Sequence, residues 1–187
     1  MVKRCSWCDK NDPLYIHYHD HVWGVPVHDD NRLFEMLVLE GFQAGLSWKT
    51  ILHRMKGFEA AFDGFVIEKI AQYDEKKVEE LTHDPSIIRN RRKILAAIRN
   101  AHIIQALQKE YGSFDAWIWS FTDGKTIICD DPVSSPLSDE ISKQMKKLGM
   151  SYVGTVIIHS FLSAVGIVNG HEKNCDWRIK HDTWCDL

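Results

Sequence analysis

The sequence has 187 residues, of which 44% are apolar and 26% charged, and its formal net charge is −3 at pH 7. This composition is typical of a soluble globular protein, and we expect one domain over residues 1–187, with two lobes. The acidic balance argues against bulk attraction to nucleic acid, so any DNA contact requires a local basic face. No apolar run reaches membrane-spanning length and the N-terminus does not resemble a signal peptide, which predicts a cytoplasmic protein.

The N-terminal segment is crowded with aromatic and histidine side chains. Asp12 followed by Pro13 predicts the start of a helix, with the aspartate as N-cap and the proline in the first turn. Spacings of three and four along that helix place Tyr15, Tyr18 and His19 on adjoining faces. The chain contains seven tryptophans, and such an excess of rings suits a pocket that stacks a planar ligand, with core packing as the alternative.

The sequence predicts a second helix, capped by Asp29 or Asp30, that places a carboxylate in apolar surroundings. Steps of three and four place five side chains on one face: Leu33, Leu37, Glu40, Ala44 and Trp48. Burying Glu40 is costly unless a cation or a hydrogen-bonding group meets it. The open alternative is a hydrated Glu40 in a fraying last turn. Glu35 falls on the opposite face and is expected to be exposed to solvent.

The remaining pattern is also helical. The stretch 43–46 predicts a corner between helices with Leu46 at its tip, and a long amphipathic helix follows the basic run 87–93 and ends near Gly112. After a loop over 123–136, Ser138 is predicted to cap a further helix, and 153–165 reads as an apolar one. No strand alternation is convincing, so the predicted fold class is all-α.

The short link between the last two helices predicts a tight hairpin. Gly149 and Gly154 permit positive φ angles and close approach of the backbone to a partner, and the next helix aims free amide groups outward. Three cations, Lys143, Lys146 and Lys147, lie just before it. This arrangement suits a phosphate group, although an ordinary helix C-cap with a packed hairpin gives the same pattern.

Cysteine and histidine spacing raises the possibility of a metal site. His171 and Cys175 lie four apart, and Cys5 with His19 could complete a tetrahedral site that joins the two ends of the chain. Three further residues are spaced as possible ligands: Cys8, His181 and Cys185. The alternative is a set of reduced, buried thiols.

Several short motifs run nearly end to end along the chain in one order: Cys5-x-Trp7, Asp12–Ile16, Tyr18–Asp20, Trp23–Pro26, Leu33–Met36, Leu39–Gly41, Gln43–Trp48, Ile87–Arg91 and Val153–Gly154. Together they resemble the bacterial DNA-3-methyladenine glycosylase I family. The resemblance implies a helix-hairpin-helix DNA glycosylase fold and excision of 3-methyladenine from double-stranded alkylated DNA, by a monomer without a lyase step. It also implies that a structural zinc ion, Zn²⁺, is bound by four of the candidate ligands: Cys5, His19, His171 and Cys175.

The resemblance further implies roles for individual residues. Glu40 would hydrogen-bond the flipped base as the catalytic residue, Tyr18 and Trp48 would stack on it, and three rings would wall the pocket: Tyr15, Trp7 and Trp23. A wedge at Gly45 and Leu46 would enter the duplex. The hairpin would grip the phosphate backbone through four residues: Lys147, Gly149, Ser151 and Gly154.

The chain departs from the family pattern at four positions, and two other functions stay open. The family usually has an aspartate, a tyrosine and a phenylalanine where this chain has Gly170, His159 and Met150, and Phe42 stands where a smaller or polar residue is expected to line the pocket. The first alternative function is a non-catalytic module that binds damaged DNA. The second is a zinc-stabilised interaction protein, which the acidic net charge favours.

Overall fold

The computed structural model describes residues 2–178, so the possible ligands His181 and Cys185 lie outside the described residues. Helices dominate this part of the chain, in agreement with the predicted class. The helices and strands run in this order: α1 (Pro13–His21), α2 (Asp30–Gln43), α3 (Trp48–Leu52), α4 (Met55–Ala61), α5 (Ile67–Ile70), α6 (Glu75–His83), α7 (Arg91–Tyr111), α8 (Phe114–Trp119), β1 (Ile127–Ile128), α9 (Pro136–Lys147), α10 (Thr155–Ala164) and β2 (Val168–Asn169). Among residues 2–178, no helix combines the length and apolarity needed to cross a bilayer.

Helix α2 is the central helix of the fold, and it contacts α3, α7, α8 and α10. The side chain of Asp29 caps its first turn by accepting a hydrogen bond from the backbone N–H of Arg32. Every residue from Leu33 to Phe42 is buried. The prediction that Glu35 faces solvent is therefore wrong, because a helix surrounded by neighbours has no solvent face. Glu35 is only 5% exposed, and Arg32 pairs with it at 2.5 Å.

The last two helices begin at different residues from those predicted. Helix α9 starts at Pro136 with Ser135 as N-cap, and Ser138 lies one turn inside it, where its hydroxyl accepts a hydrogen bond from the backbone N–H of Ser135. Helix α10 starts at Thr155, because the preceding Gly154 has an extended backbone (φ −63°, ψ 156°). The predicted start was therefore wrong by three residues for α9 and by two for α10.

Two short strands lie among the helices, although none was predicted. β1 and β2 pair in parallel, with Ile127 opposite Val168 and Ile128 opposite Asn169. Two residues are too few to show an alternating pattern, so the sequence gives no signal for them. The pair joins the long loop before α9 to the segment after α10.

The C-terminal end of α10 packs closely against the segment that follows α1 and forms backbone hydrogen bonds with it. The backbone N–H groups of Gly24 and Val27 donate to the carbonyls of Ala164 and Val165. Gly166 has a φ of +76°, and a Cβ atom added there would lie 2.5 Å from the backbone nitrogen of Pro26. Glycine is the residue type that meets both conditions, since it tolerates positive φ and has no side chain.

Candidate functional site

Glu40 lies in the last turn of α2 as a buried carboxyl group. Its residue is 5% exposed, and among the described residues no ion pair or hydrogen bond engages its carboxyl oxygens. Burial raises its pKa from 4.5 to about 8, because an apolar environment disfavours the charged form. The alternative of a hydrated Glu40 in a fraying turn is therefore wrong, and the isolated group holds its proton at neutral pH.

Glu40 borders a cavity of about 360 Å³, a size that suits a small planar ligand. The rings of Tyr18 and Trp48 both line it and contact each other, with centroids 5.2 Å apart and planes inclined by 39°. The remaining lining groups are aromatic, polar or small: Trp7, Tyr15, Trp23, Gln43, Asp131, Pro132, His159, Ser160, Ser163, Gly170 and Glu172. The cavity therefore combines rings with a single buried carboxyl group.

Local sequence explains how these rings reach one place. The Asp12 side chain accepts hydrogen bonds from the backbone N–H groups of Leu14 and Tyr15, which fixes the start of α1 as predicted. The chain turns after Gln43, and Ser47 caps α3 so that Trp48 is its first residue. Trp48 thus reaches Glu40 around a corner rather than along one continuous helix face.

The outer rings of the cavity pack edge to face. The ring centroid of Trp7 is 5.8 Å from that of Tyr15 and 4.8 Å from that of Trp23, with planes inclined by 83° and 68°. Edge-to-face pairs of this kind contribute about 0.5–1.5 kcal/mol beyond their buried area. Trp7 is also 36% exposed, so this wall forms the rim of the cavity.

Two buried polar atoms in the cavity wall have no hydrogen-bond partner among residues 2–178: Trp48 Nε1 and His159 Nδ1. An unsatisfied buried donor or acceptor costs about 1–3 kcal/mol, so both atoms are available to a polar group that enters the cavity. Burial also lowers the pKa of His159, which favours the neutral imidazole.

Sequence reasoning missed several residues that line the cavity. Asp131 and Pro132 come from the loop before α9, and His159 and Ser163 come from α10. In the sequence, His159 stands out only as a departure from the family pattern. Gly170 also lines the cavity, and a Cβ there would lie 3.2 Å from Ser163 Oγ and 3.4 Å from Trp23. No local pattern reports such proximity, because it arises only when α10 packs against α2.

Phe42 does not line the cavity, so the expectation that it alters the pocket wall is wrong. Its ring is 1% exposed and packs against Phe58 and Phe62 at centroid distances of 4.9 and 5.9 Å. Phe42 belongs to the face of α2 that points away from Glu40, because two residues along a helix turn the side chain by about 200°. Met150 is likewise buried in the core.

A cluster of two thiols and two imidazoles joins the ends of the described chain. The four residues Cys5, His19, His171 and Cys175 are all buried, and their potential ligand atoms lie within 4.8 Å of one another. The sulfur-to-nitrogen distances are 3.4 Å for Cys5–His171, 3.4 Å for Cys175–His171 and 3.6 Å for Cys175–His19. A tetrahedral zinc ion with ordinary bond lengths requires about 3.6 Å between sulfur and nitrogen ligands. These residues therefore fit a metal ion, and Cys8 is not part of the cluster.

The surroundings of the cluster hold one of its imidazoles in place. His19 Nδ1 lies 2.8 Å from Asp20 Oδ1, which leaves Nε2 pointing toward Cys175. Arg4 holds that carboxylate through its Nε and Nη2 atoms. A carboxylate behind a ligating histidine is a common arrangement in metal sites, where it fixes the orientation of the ring.

The two predicted DNA-contacting elements are accessible loops. Leu46 is 41% exposed, and Gly45 beside it has a φ of +83°. In the link from Leu148 to Gly154, Gly149 has a φ of +94°, and Lys147 before it is exposed. The backbone N–H of Ser151 donates to Asn100 Oδ1, so its hydroxyl rather than its amide stays available.

The chain matches known proteins over nearly its full length. A family model described as methyladenine glycosylase matches residues 7–179. The chain belongs to this family. It is 43% identical to DNA-3-methyladenine glycosylase 1 of Escherichia coli over 93% of this chain and 96% of that protein.

Solved structures of family members agree with the architecture. A crystal structure of a 3-methyladenine DNA glycosylase I matches with a TM-score of 0.88 at 44% identity. The match covers 93% of this chain and 98% of the chain in that structure. A second structure, of 3-methyladenine DNA glycosylase I from Staphylococcus aureus, addresses the structural basis of 3-methyladenine recognition. It has a TM-score of 0.89 at 36% identity, and the match covers 94% of this chain and 96% of that chain. The mostly helical fold of this chain is therefore the fold of the family.

Proposed function

We propose that this protein is a DNA repair enzyme that excises 3-methyladenine from alkylated double-stranded DNA by hydrolysing the N-glycosidic bond. Membership of the methyladenine glycosylase family supports the activity. The observation that carries the residue-level proposal is the buried carboxyl of Glu40 beside a cavity lined with aromatic rings.

The chemistry of the lesion matches the cavity. Methylation at N3 leaves the adenine cationic in DNA, so aromatic faces and a carboxylate attract it more strongly than they attract normal adenine. A cation beside Glu40 lowers the pKa of that carboxyl again, because an opposite charge favours the ionised form. A neutral base leaves Glu40 protonated and gains no such attraction. Selectivity then rests on charge, with Tyr18 and Trp48 stacking on the base and Tyr15, Trp7 and Trp23 completing the wall.

The same cationic base is a good leaving group, so little further activation is required. The enzyme extrudes the nucleotide, holds the base and admits water to the sugar. No lysine lines the described cavity, and a Schiff base with the sugar needs an amine nucleophile. The proposed reaction is therefore a simple hydrolysis without a lyase step.

DNA contact is assigned to the two accessible loops. Leu46, next to Gly45, enters the duplex where the base leaves it. The link between α9 and α10 acts as a helix-hairpin-helix element, in which Gly149 and Gly154 let the backbone approach the phosphates while Lys147 and Ser151 add a charge and a hydroxyl. The protein works in the cytoplasm as a monomer with one domain.

We also propose that Cys5, His19, His171 and Cys175 hold a structural zinc ion. Four protein ligands leave no position for water or substrate, so the ion stabilises the fold rather than the transition state. When bound, it ties residues from the two ends of the chain, and its binding free energy adds to the stability of the fold.

The activity is tested by incubating the protein with methylated duplex DNA and identifying the released bases by chromatography. We expect 3-methyladenine as the main product, and no release of adenine from unmethylated duplex. Release of 7-methylguanine alone, or of no base, would contradict the proposed specificity.

The zinc ligands are tested by measuring the metal content of purified wild-type protein, Cys175→Ser and the matched variant Cys8→Ser. We expect about one zinc ion per chain in wild type and in Cys8→Ser, because a single four-ligand site excludes Cys8. Cys175→Ser should lose most of the metal. Equal zinc content in all proteins would show that Cys175 is not a ligand.

A further inference from the structure

Helix α7 carries two exposed arginines that no described acidic side chain neutralises. Arg92 and Arg99 are both exposed, and none of the ion pairs formed within residues 2–178 includes either of them. Arg91, one residue earlier, behaves differently, because it pairs with Glu75 and, at 3.6 Å, with Glu79 of α6. The two arginines thus form a free positive stripe on an acidic protein, which we call the α7 arginine stripe.

The neighbouring face of α7 holds both loops assigned to DNA. Lys93 Nζ donates to the carbonyls of Phe42 and Ala44, at 2.8 Å each, just before the loop that carries Leu46. Asn100 Nδ2 donates to the Ser151 carbonyl, and Asn100 Oδ1 accepts from the Ser151 N–H, at 3.0 Å each. Two turns of one helix therefore link the Leu46 loop to the hairpin.

Helix geometry places the α7 arginine stripe beside those contacts. Arg92 and Arg99 each precede one of the two contacting residues, and a step of one residue rotates the side chain by about 100°. Ile103 lies on the same stripe as Arg99, one turn further on, and its Cδ1 atom is 3.8 Å from the position of a Cβ on Gly149. The stripe therefore borders the hairpin, while Arg91 points to the other side, toward α6.

We propose that Arg92 and Arg99 bind phosphate groups of the duplex between the Leu46 loop and the hairpin. The proposal rests on the proposed function, since it takes double-stranded DNA as the partner. Seven residues of helix separate the two arginines by about 10 Å along the axis, which corresponds to about three base steps at 3.4 Å per step. Guanidinium groups suit phosphate oxygens, which they bind in pairs of hydrogen bonds. The stripe supplies the local basic face that an acidic protein needs in order to hold DNA.

The test is the salt dependence of duplex affinity for wild type, Arg92→Gln, Arg99→Gln and the double variant, with Arg91→Gln as the matched control. Each phosphate contact contributes about 0.9 to the slope of log affinity against log salt. We expect the slope to fall by about 1 in each single variant and by about 2 in the double variant, equally on methylated and unmodified duplex. Arg91→Gln should keep the wild-type slope, because its partners are carboxylates of the protein.

Two different failures can be distinguished in this experiment. If wild type binds duplex with a clear salt slope and all the variants share it, the stripe does not contact phosphates, and the proposed function still stands. If wild type shows no salt-dependent binding at all, double-stranded DNA is not the partner, and both proposals fall. The substituted side chains are exposed, so the variants should keep the wild-type unfolding midpoint, which circular dichroism checks.

Discussion

The two halves of α2 each bury a glutamate, and the two side chains have opposite surroundings. Glu35, in the first half, is 5% exposed and pairs with Arg32 at 2.5 Å. Glu40, in the second half, is equally buried, but no described cation or hydrogen-bond donor meets its carboxyl group. Burial raises the pKa of both carboxyls, and at Glu35 the nearby Arg32 opposes the rise.

This difference separates a structural carboxyl group from a functional one. A buried charge with a partner inside the protein is already compensated. A buried carboxyl without a partner, in a cavity of aromatic rings, destabilises the free protein and is compensated only when a cationic ligand arrives. The local sequence around the two glutamates is similarly apolar, so only the neighbours in space distinguish them.

The largest expected effect concerns stability against pH in Glu40→Gln. The pKa of Glu40 is raised in the folded state, so the contribution of its protonated form is complete below about pH 4.5 and is lost as the pH rises to about 8. Glutamine does not titrate. We expect the free energy of unfolding of Glu40→Gln to exceed that of wild type by about 5 kcal/mol at pH 9, with no gain at pH 4.

Urea unfolding at several pH values measures this difference. Glu35→Gln is the matched control, and its gain at pH 9 should be smaller because Arg32 already compensates the charge. Parallel stability curves for wild type and Glu40→Gln would contradict the raised pKa of Glu40.

The next effect is on base release. We expect Glu40→Gln to lower single-turnover release of 3-methyladenine from methylated duplex by about 10- to 100-fold, since a hydrogen bond to a charged group contributes about 1.5–3 kcal/mol. Glu35→Gln should release the base at close to the wild-type rate. Affinity for unmodified duplex should stay near wild type in both variants, which separates an enzyme from a module that only binds damaged DNA. Equal loss in both variants would remove the distinction between the two glutamates.

A smaller effect is expected in the pH dependence of lesion recognition. Binding of a cationic base favours ionised Glu40 and therefore releases a proton below pH 8. As the pH rises toward 8, the preference for methylated over unmodified duplex should strengthen by up to about tenfold per pH unit. Above pH 8 the preference should level off. Competition binding at pH 6 to 9 measures the ratio, and Glu40→Gln should show a flat profile. A wild-type preference that weakens with rising pH would reverse the assigned sign.

The smallest effect concerns the paired glutamate. Arg32→Ala leaves Glu35 buried without its partner, but Arg32 is half exposed, so we expect a loss of only about 1 kcal/mol in the free energy of unfolding. Adding Glu35→Gln in the same chain should restore most of that loss, as a double-mutant cycle would show. Base release should not change in either case. If the change in unfolding free energy of the double variant equals the sum of the changes in the two single variants, the two side chains do not stabilise each other.

Local signals in the sequence were sufficient for several elements. Asp12 and Pro13 begin α1 as predicted, and Gly112, with a φ of +90°, ends α7. Both are decided by backbone chemistry within a few residues, which the sequence displays directly. The spacing along α2 correctly placed Glu40 on one face with the buried Leu33 and Leu37, but Ala44 is the exposed C-cap and does not extend that face.

The errors arose where distant elements meet. Glu35 is buried because α2 has neighbours on all sides, and periodicity cannot show how many neighbours a helix has. His159 and Asp131 reach the cavity from separate parts of the chain, which only the packing of α10 and the preceding loop brings together. The four residues of the thiol and imidazole cluster meet in the same way, and their spacing in the sequence left several combinations open.

The glycine at the exit of α10 has a consequence for how the ligand is received. Gly166 packs closely against the backbone of Pro26, and two backbone hydrogen bonds join the end of the helix that carries His159 to the segment that follows Tyr15 and Tyr18. We therefore expect the width of the aromatic cavity to change little when a base enters. Preorganisation of this kind lowers the entropy lost on association, so more of the attraction between charge and ring can go into discriminating one base from another.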